Sequence, residues 1–171
     1  SSLTSDVAVN SAEGPGCMVV KQPLPWFMGR TGYTFAAWMR VESFPREDSV
    51  AGGHSDNPKN NSPQQVKKAR VALFALRGAS GLGVAAELGA DGVEVTVFSP
   101  SGSETVLLDG NAVKSKTIEE KKWMLVTVSH AQATTPLTSA CAKLHIDGVT
   151  VTSKKLRFPK VVEPLNSCVI G

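Results

Sequence analysis

Cysteine is scarce and unpaired in this chain: Cys17, Cys141 and Cys168 are the only three, and no two fall at a short spacing. An odd count fits no closed disulfide framework, and the missing short pairs fit no zinc site. Small apolar thiols beside strand-like runs read as buried residues of a reducing compartment, so the cytoplasm is the expected location. Charge is thin too, at 19% of residues with a net +3, too little to argue for nucleic acid. No stretch approaches the roughly 20 apolar residues of a membrane span, and no run reads as a secretory h-region. The Asn60-Asn61-Ser62 triplet formally matches a glycosylation acceptor, but Pro63 follows it and no export signal accompanies it. A helical apolar stripe of three or more turns is missing throughout. Since the first residue is Ser1 and not Met, the sequence reads as a piece of a longer chain.

Catalytic constellations are equally sparse. Glycoside hydrolysis needs two carboxylates about 5 to 9.5 Å apart across the scissile bond. Glu94 has no acidic neighbour two positions away, and the adjacent Glu119 and Glu120 would point apart on a strand. None of His54, His130 and His145 reads as part of a nucleophile-histidine-acid relay. His130 ends a strand-like run and is expected to be structural, whereas His145 alternates with Leu144 and Ile146 and is expected to be exposed or hydrogen-bonded. Asp91, Asp109 and Asp147 are the calcium candidates, but each precedes a glycine and reads as a turn former. The expectation is no enzyme, no metal and no cofactor.

What is present is alternation. The 171 residues are 42% hydrophobic, enough for one domain with a genuine core, and 15 glycines with 10 prolines supply many turns. Over residues 31–43, Tyr33, Phe35, Ala37, Met39 and Val41 share one face, with Thr34, Ala36, Trp38, Arg40 and Glu42 on the other. Because Ala36 and Trp38 are apolar, the second face is expected to be partly covered too, as in a central strand of a curved sheet. Further strands are expected over residues 17–20, 70–76, 82–88, 92–98, 104–108, 123–130, 144–146 and 149–151, with Asp147-Gly148 as the strongest hairpin signal. Residues 114–121 are expected to include a helical turn, and residues 45–68, polar and poor in bulky side chains, a disordered loop. Trp26, Trp38 and Trp123 are assigned to the core or to loop capping. The fold class is therefore all-β, a sandwich of two antiparallel sheets.

Positive charge gathers late. From Asn111 onward nine cations face four acids, a balance of +5, whereas the preceding residues carry −2. Lysines on exposed strand faces and edges explain most of this. The segment Ser153-Lys154-Lys155-Leu156-Arg157-Phe158-Pro159-Lys160 interleaves cations with apolar residues, which makes Lys154, Lys155, Arg157 and Lys160 the candidate binding patch for anionic phospholipid or an acidic protein surface. An unpaired strand edge is the second candidate surface.

Several segments together carry a resemblance. Gly32-Tyr33-Thr34-Phe35-Ala36-Ala37-Trp38-Met39-Arg40-Val41-Glu42-Ser43-Phe44, Lys122-Trp123-Met124, Leu144-His145-Ile146-Asp147-Gly148, Arg157-Phe158-Pro159-Lys160 and Pro164-Leu165-Asn166-Ser167-Cys168-Val169-Ile170-Gly171 follow one another as in the concanavalin A-like, laminin-G-related domain of BEACH proteins, neurobeachin and its plant relatives. The resemblance spans residues 32–171 and includes the long insertion after the first tryptophan strand. It implies a non-catalytic jelly-roll module over residues 1–171, with protein partners, inside a large scaffold of vesicle trafficking, autophagy or receptor sorting, peripherally membrane-associated through the parent chain. A lectin-like carbohydrate-binding domain is the alternative. In that family sequence beyond the Cys-x-Ile-Gly motif closes the sandwich, so either the closing strand lies past Gly171 or Met18-Val19-Val20 takes its place.

Overall fold

Strands form where the sequence alternates, and turn residues decide where they stop. The computed structural model describes residues 18–20, 31–44, 70–113, 117–135 and 137–171. The expectations for residues 45–68, Trp26, Cys17, His54 and the Asn60 triplet lie outside these. Ten strands follow in order: β1 (Met18–Val20), β2 (Gly32–Arg40), β3 (Val71–Gly78), β4 (Gly83–Gly89), β5 (Gly92–Ser99), β6 (Gly102–Asp109), β7 (Trp123–Ala131), β8 (Cys141–Ile146), β9 (Val149–Lys155) and β10 (Leu165–Ile170). They make a six-stranded sheet in the order β1-β10-β3-β4-β5-β6 and a four-stranded sheet in the order β2-β7-β8-β9, every pairing antiparallel. This is the all-β class with two antiparallel sheets expected from the alternation.

The facing sides of the two sheets form the core. Phe74, Leu76, Val84, Ala86, Val93, Val95 and Leu108 from one sheet meet Met124, Val126, Val128, Ala142, Leu144 and Ile146 from the other. These residues recur at every second position, so each strand hides one face and wets the other. Register slips between Ala72 and Phe74, and the slip lets both Leu73 and Phe74 turn inward from β3. The Asp147-Gly148 turn has φ of 50° and 80°, as a two-residue hairpin between right-twisted strands demands. Crossing from the small sheet to the large one, the chain anchors itself with buried Leu156, Phe158 and Leu165.

Two expectations are overturned. β2 is an edge strand of the small sheet, bonded only to β7 among the described residues, and not a central strand. Its second face is open: Trp38 is 66% exposed. Of the expected helical turn, residues 117–121 are not helical, because Glu120 instead bridges Val41 and accepts a hydrogen bond from the Phe44 amide at 2.7 Å. Residues 114–116 lie outside the described residues. β1 lies antiparallel against β10, with Met18 opposite Ile170.

Candidate interaction surface

The small sheet presents its outer face to solvent, and that face holds the two described tryptophans. β2 and β7 pair so that Trp38 faces Leu125 and Arg40 faces Trp123. Trp38 and Trp123 are therefore diagonal neighbours, a separation that aromatic side chains can span. Trp123 is 61% exposed. Neither belongs to the core or caps a loop, which corrects the sequence assignment. The alternation itself placed Trp38 with Thr34 and Arg40 on the polar side; that side stays exposed on interior β7 as on edge β2, because it is the face turned away from the other sheet.

Charges at this end of the face are paired with one another. Arg40 Nε lies 2.9 Å from Glu42, and Lys122 Nζ lies 2.9 Å from Glu119. The Glu119 carboxylate holds the Lys122 ammonium above its ordinary range. Asp147 is occupied by the hairpin: its carboxylate accepts from the Leu125 amide at 3.0 Å, while its own amide donates to the Leu125 carbonyl. The result is an apolar platform with locally balanced charge.

Further along, the face becomes polar. Ser129 Oγ lies 3.1 Å from His145 Nε2, and Thr150 Oγ1 lies 3.0 Å from His145 Nδ1. Cross-strand register makes this row, since His145 sits opposite Thr127 on β7 and Thr150 on β9. A serine thus does reach a histidine, which the sequence did not reveal. In a hydrolytic triad, an acid orients the imidazole and stabilises its charged form. Here a neutral threonine takes that place, and partial burial together with Lys143 pushes the His145 pKa down. The row has the geometry of a hydrogen-bonded surface and lacks the acid of a nucleophile's relay. Beyond it, a shallow depression of about 320 Å³ is lined by Thr31, Gly32, Thr34, Ser129 and Ala131 together with Tyr33 and His130. A Cβ on Gly32 would strike the His130 carbonyl at 2.4 Å.

The candidate basic patch divides. Lys154 and Lys155 end the edge strand β9 and are exposed, as is Lys160. Arg157 is engaged, with Nε 3.2 Å from Glu104 and a nitrogen donating to Ser101 Oγ at 2.6 Å. Leu156 and Phe158 are buried in the core, so the cation-apolar interleaving is the pattern of an irregular segment crossing between sheets. No apolar side chain of residues 154–160 stands beside the lysines to enter a bilayer, as Leu156, Phe158 and Pro159 are all buried.

The calcium candidates have structural partners. One Arg70 nitrogen, Nη2, donates to both Asp91 carboxylate oxygens at 2.9 and 3.0 Å, and Asp109 accepts from the Asn111 amide at 2.8 Å. Among the described residues, no group of three or more His, Cys, Asp or Glu is placed to hold a metal ion. No helix among them is long and apolar enough to cross a membrane.

Comparison with known proteins gives a coarse placement. No family model matches the chain. It is 26% identical over 154 residues to BEACH domain-containing protein B of Arabidopsis thaliana, a match covering 90% of this chain and 5% of that protein. Among solved structures, the receptor binding domain of botulinum neurotoxin type G is similar with a TM-score of 0.55 at 12% identity, over 95% of this chain and 32% of the other. The binding domain of Paraclostridial mosquitocidal protein 1 is similar with a TM-score of 0.52 at 16% identity, over 94% and 37%. At such identities the likeness concerns the sandwich fold. The chain spans about 5% of the curated relative it matches and about a third of these structures.

Proposed function

We propose that this chain is a non-catalytic, concanavalin A-like interaction module of a large BEACH-type scaffold, serving vesicle trafficking, autophagy or receptor sorting at the cytoplasmic side of membranes. The observation that carries it is the outer face of the small sheet, where Trp38 and Trp123 stand exposed beside paired charges. Large aromatic groups on a flat, locally neutral surface suit burial against another protein, and tryptophan and arginine dominate the energetic centres of such contacts. Support for the scaffold comes from the Arabidopsis relative and from the order of the sequence motifs. Lys154, Lys155 and Lys160 are the secondary surface, for anionic phospholipid.

A lectin-like role is the competing reading, favoured by the tryptophans lying on the same face as the Ser129, His145 and Thr150 row. One pair of measurements separates the two. A photocrosslinking residue at Thr127, within the full parent protein, is expected to form adducts with protein. Replacing both Trp38 and Trp123 with alanine should reduce those adducts at least tenfold. Crosslinking unaffected by the double substitution, or glycan-array binding that the double substitution abolishes, would overturn the proposal.

A further inference from the structure

Sheet edges invite pairing with foreign strands, and proteins guard them with charge, proline, bulges or brevity. Three of the four described edges here are guarded. β1 has three residues. β6 carries Glu104 and Asp109 and lies against β9. β9 ends in Lys154 and Lys155, and its register with β8 slips between Leu144 and His145. β2 differs on every count. It pairs with β7 residue for residue over nine positions without a slip, contains no proline and carries no charge before Arg40. No described strand pairs with its other side.

The ladder identifies which backbone groups face that open side. In antiparallel pairs, residues alternate between bonding the neighbour and turning away from it. The Gln132 amide donates to the Thr31 carbonyl, so the odd-numbered residues of β2 bond β7. Across β7 the parity agrees, since the Asp147 amide donates to the Leu125 carbonyl and the odd residues of β7 thereby bond the β8 side. Thr34, Ala36 and Trp38 consequently direct their amides and carbonyls to the open edge. Beside that edge, between the sheets, lies an apolar crevice of about 120 Å³, lined by Tyr33, Phe35, Phe74, Leu76, Cys168 and Ile170 with Thr34 at its rim. Its size approaches that of the engineered apolar cavity of ~150 Å³ that accepts benzene.

We propose that β2 captures an extended segment of a partner protein as a fifth strand of the small sheet, a segment bearing uncharged aliphatic side chains at alternate positions. The proposal rests on the interaction-module reading and names its mode of recognition. Main-chain hydrogen bonds to Thr34, Ala36 and Trp38 supply affinity, and the crevice supplies selectivity by admitting one inward-facing aliphatic side chain. A charge there would lose its hydration with no partner to replace it. A second copy of this chain fits worse. The inward residues of its β2 are held by its own core, Tyr33 against Phe74 at 6.0 Å and Phe35 against Phe74 at 4.8 Å, and cannot fill a neighbour's crevice.

The test is amide hydrogen exchange, read residue by residue by NMR on the 171-residue chain. The probe is a synthetic nine-residue peptide of alternating valine and threonine with a lysine at each end. The amides of Thr34, Ala36 and Trp38 should slow at least tenfold when it is added, while those of Phe35 and Ala37 remain slow throughout. Replacing the central inward valine of the probe with aspartate, or methylating its edge-facing nitrogens, should abolish that slowing without touching the protein. Ala36→Pro should abolish it from the protein's side. Unchanged exchange at the three amides, slowing that survives probe methylation, or slowing that rises with protein concentration alone would overturn the proposal. If the probe fails while crosslinking still depends on Trp38 and Trp123, strand capture falls and the interaction module stands. If crosslinking independence accompanies it, both fall.

Discussion

At the scale of single residues, His130 holds the most consequence for stability. It is 1% exposed, and its Nε2 lies 3.1 Å from the Leu156 carbonyl, so Nε2 carries the proton and Nδ1 the lone pair. Nδ1 has no hydrogen-bond partner among the described residues. Protonation would place a charge in the core beside Tyr33 and Phe158, and burial accordingly pushes the His130 pKa below 6.5. The unfolded chain then binds the proton more readily than the folded one, so stability is full above about pH 6.5 and falls as the pH drops below it. The slope is at most about 1.4 kcal/mol per pH unit for one group. Urea midpoints at pH 7.5 and 5.5 should differ accordingly, and His130→Gln, less stable at pH 7.5, should show a flatter profile. A structural histidine was legible in the sequence from its place at the end of an alternating run. Its unshared nitrogen was not, because the Leu156 carbonyl arrives from 26 residues away. Trp38 illustrates the opposite error: its face was read correctly, but whether another layer covers that face is decided by how the two sheets stack.

Among the elements, the β4–β5 hairpin is clamped from outside. Arg70, immediately before β3 and with only 8% of its side chain exposed, reaches Asp91 at 2.9 Å in the hairpin turn and Glu94 at 3.2 Å on β5. A guanidinium fork fits such a two-pronged contact where an ammonium does not. Arg70→Ala leaves two half-buried carboxylates facing each other, and its cost should be about 2 to 3 kcal/mol, between exposed and buried pairs. Arg70→Lys should recover less than half of that in urea denaturation. Asp91 as a turn former was readable from Asp-Gly, as was the Asp147 hairpin, since local backbone chemistry determines both. The Arg70 clamp was not, because it spans 21 residues and depends on how β3 lies beside β4. The cations of residues 154–160 were visible as a row; that Arg157 is tied to Glu104, 53 residues away, was not.

For the molecule as a whole, β10 binds sequence to topology. It inserts between β1 and β3, although 86 residues separate the start of β10 from the end of β3 in neighbouring registers. Leu165 and Cys168 are buried there, and burial pushes the Cys168 thiol pKa up. A chain ending at Pro164 would strip β3 of its outer partner and expose Phe74 and Leu76. In a far-ultraviolet melt it should lose the cooperative thermal transition expected of the 171-residue chain. The sandwich class was legible because alternation is a local property. The order of strands within each sheet was not, since pairing partners such as Met18 and Ile170 answer to no local pattern.

That last pairing has a mechanical corollary. Paired residues of antiparallel strands lie about 5 Å apart, so the backbone at Met18 and the backbone at Ile170 run alongside each other. Tension applied between Met18 and Ile170 would be borne by one short ladder, peeled like a zip, and the rest of the sandwich would hang beside the line of force as a pendant.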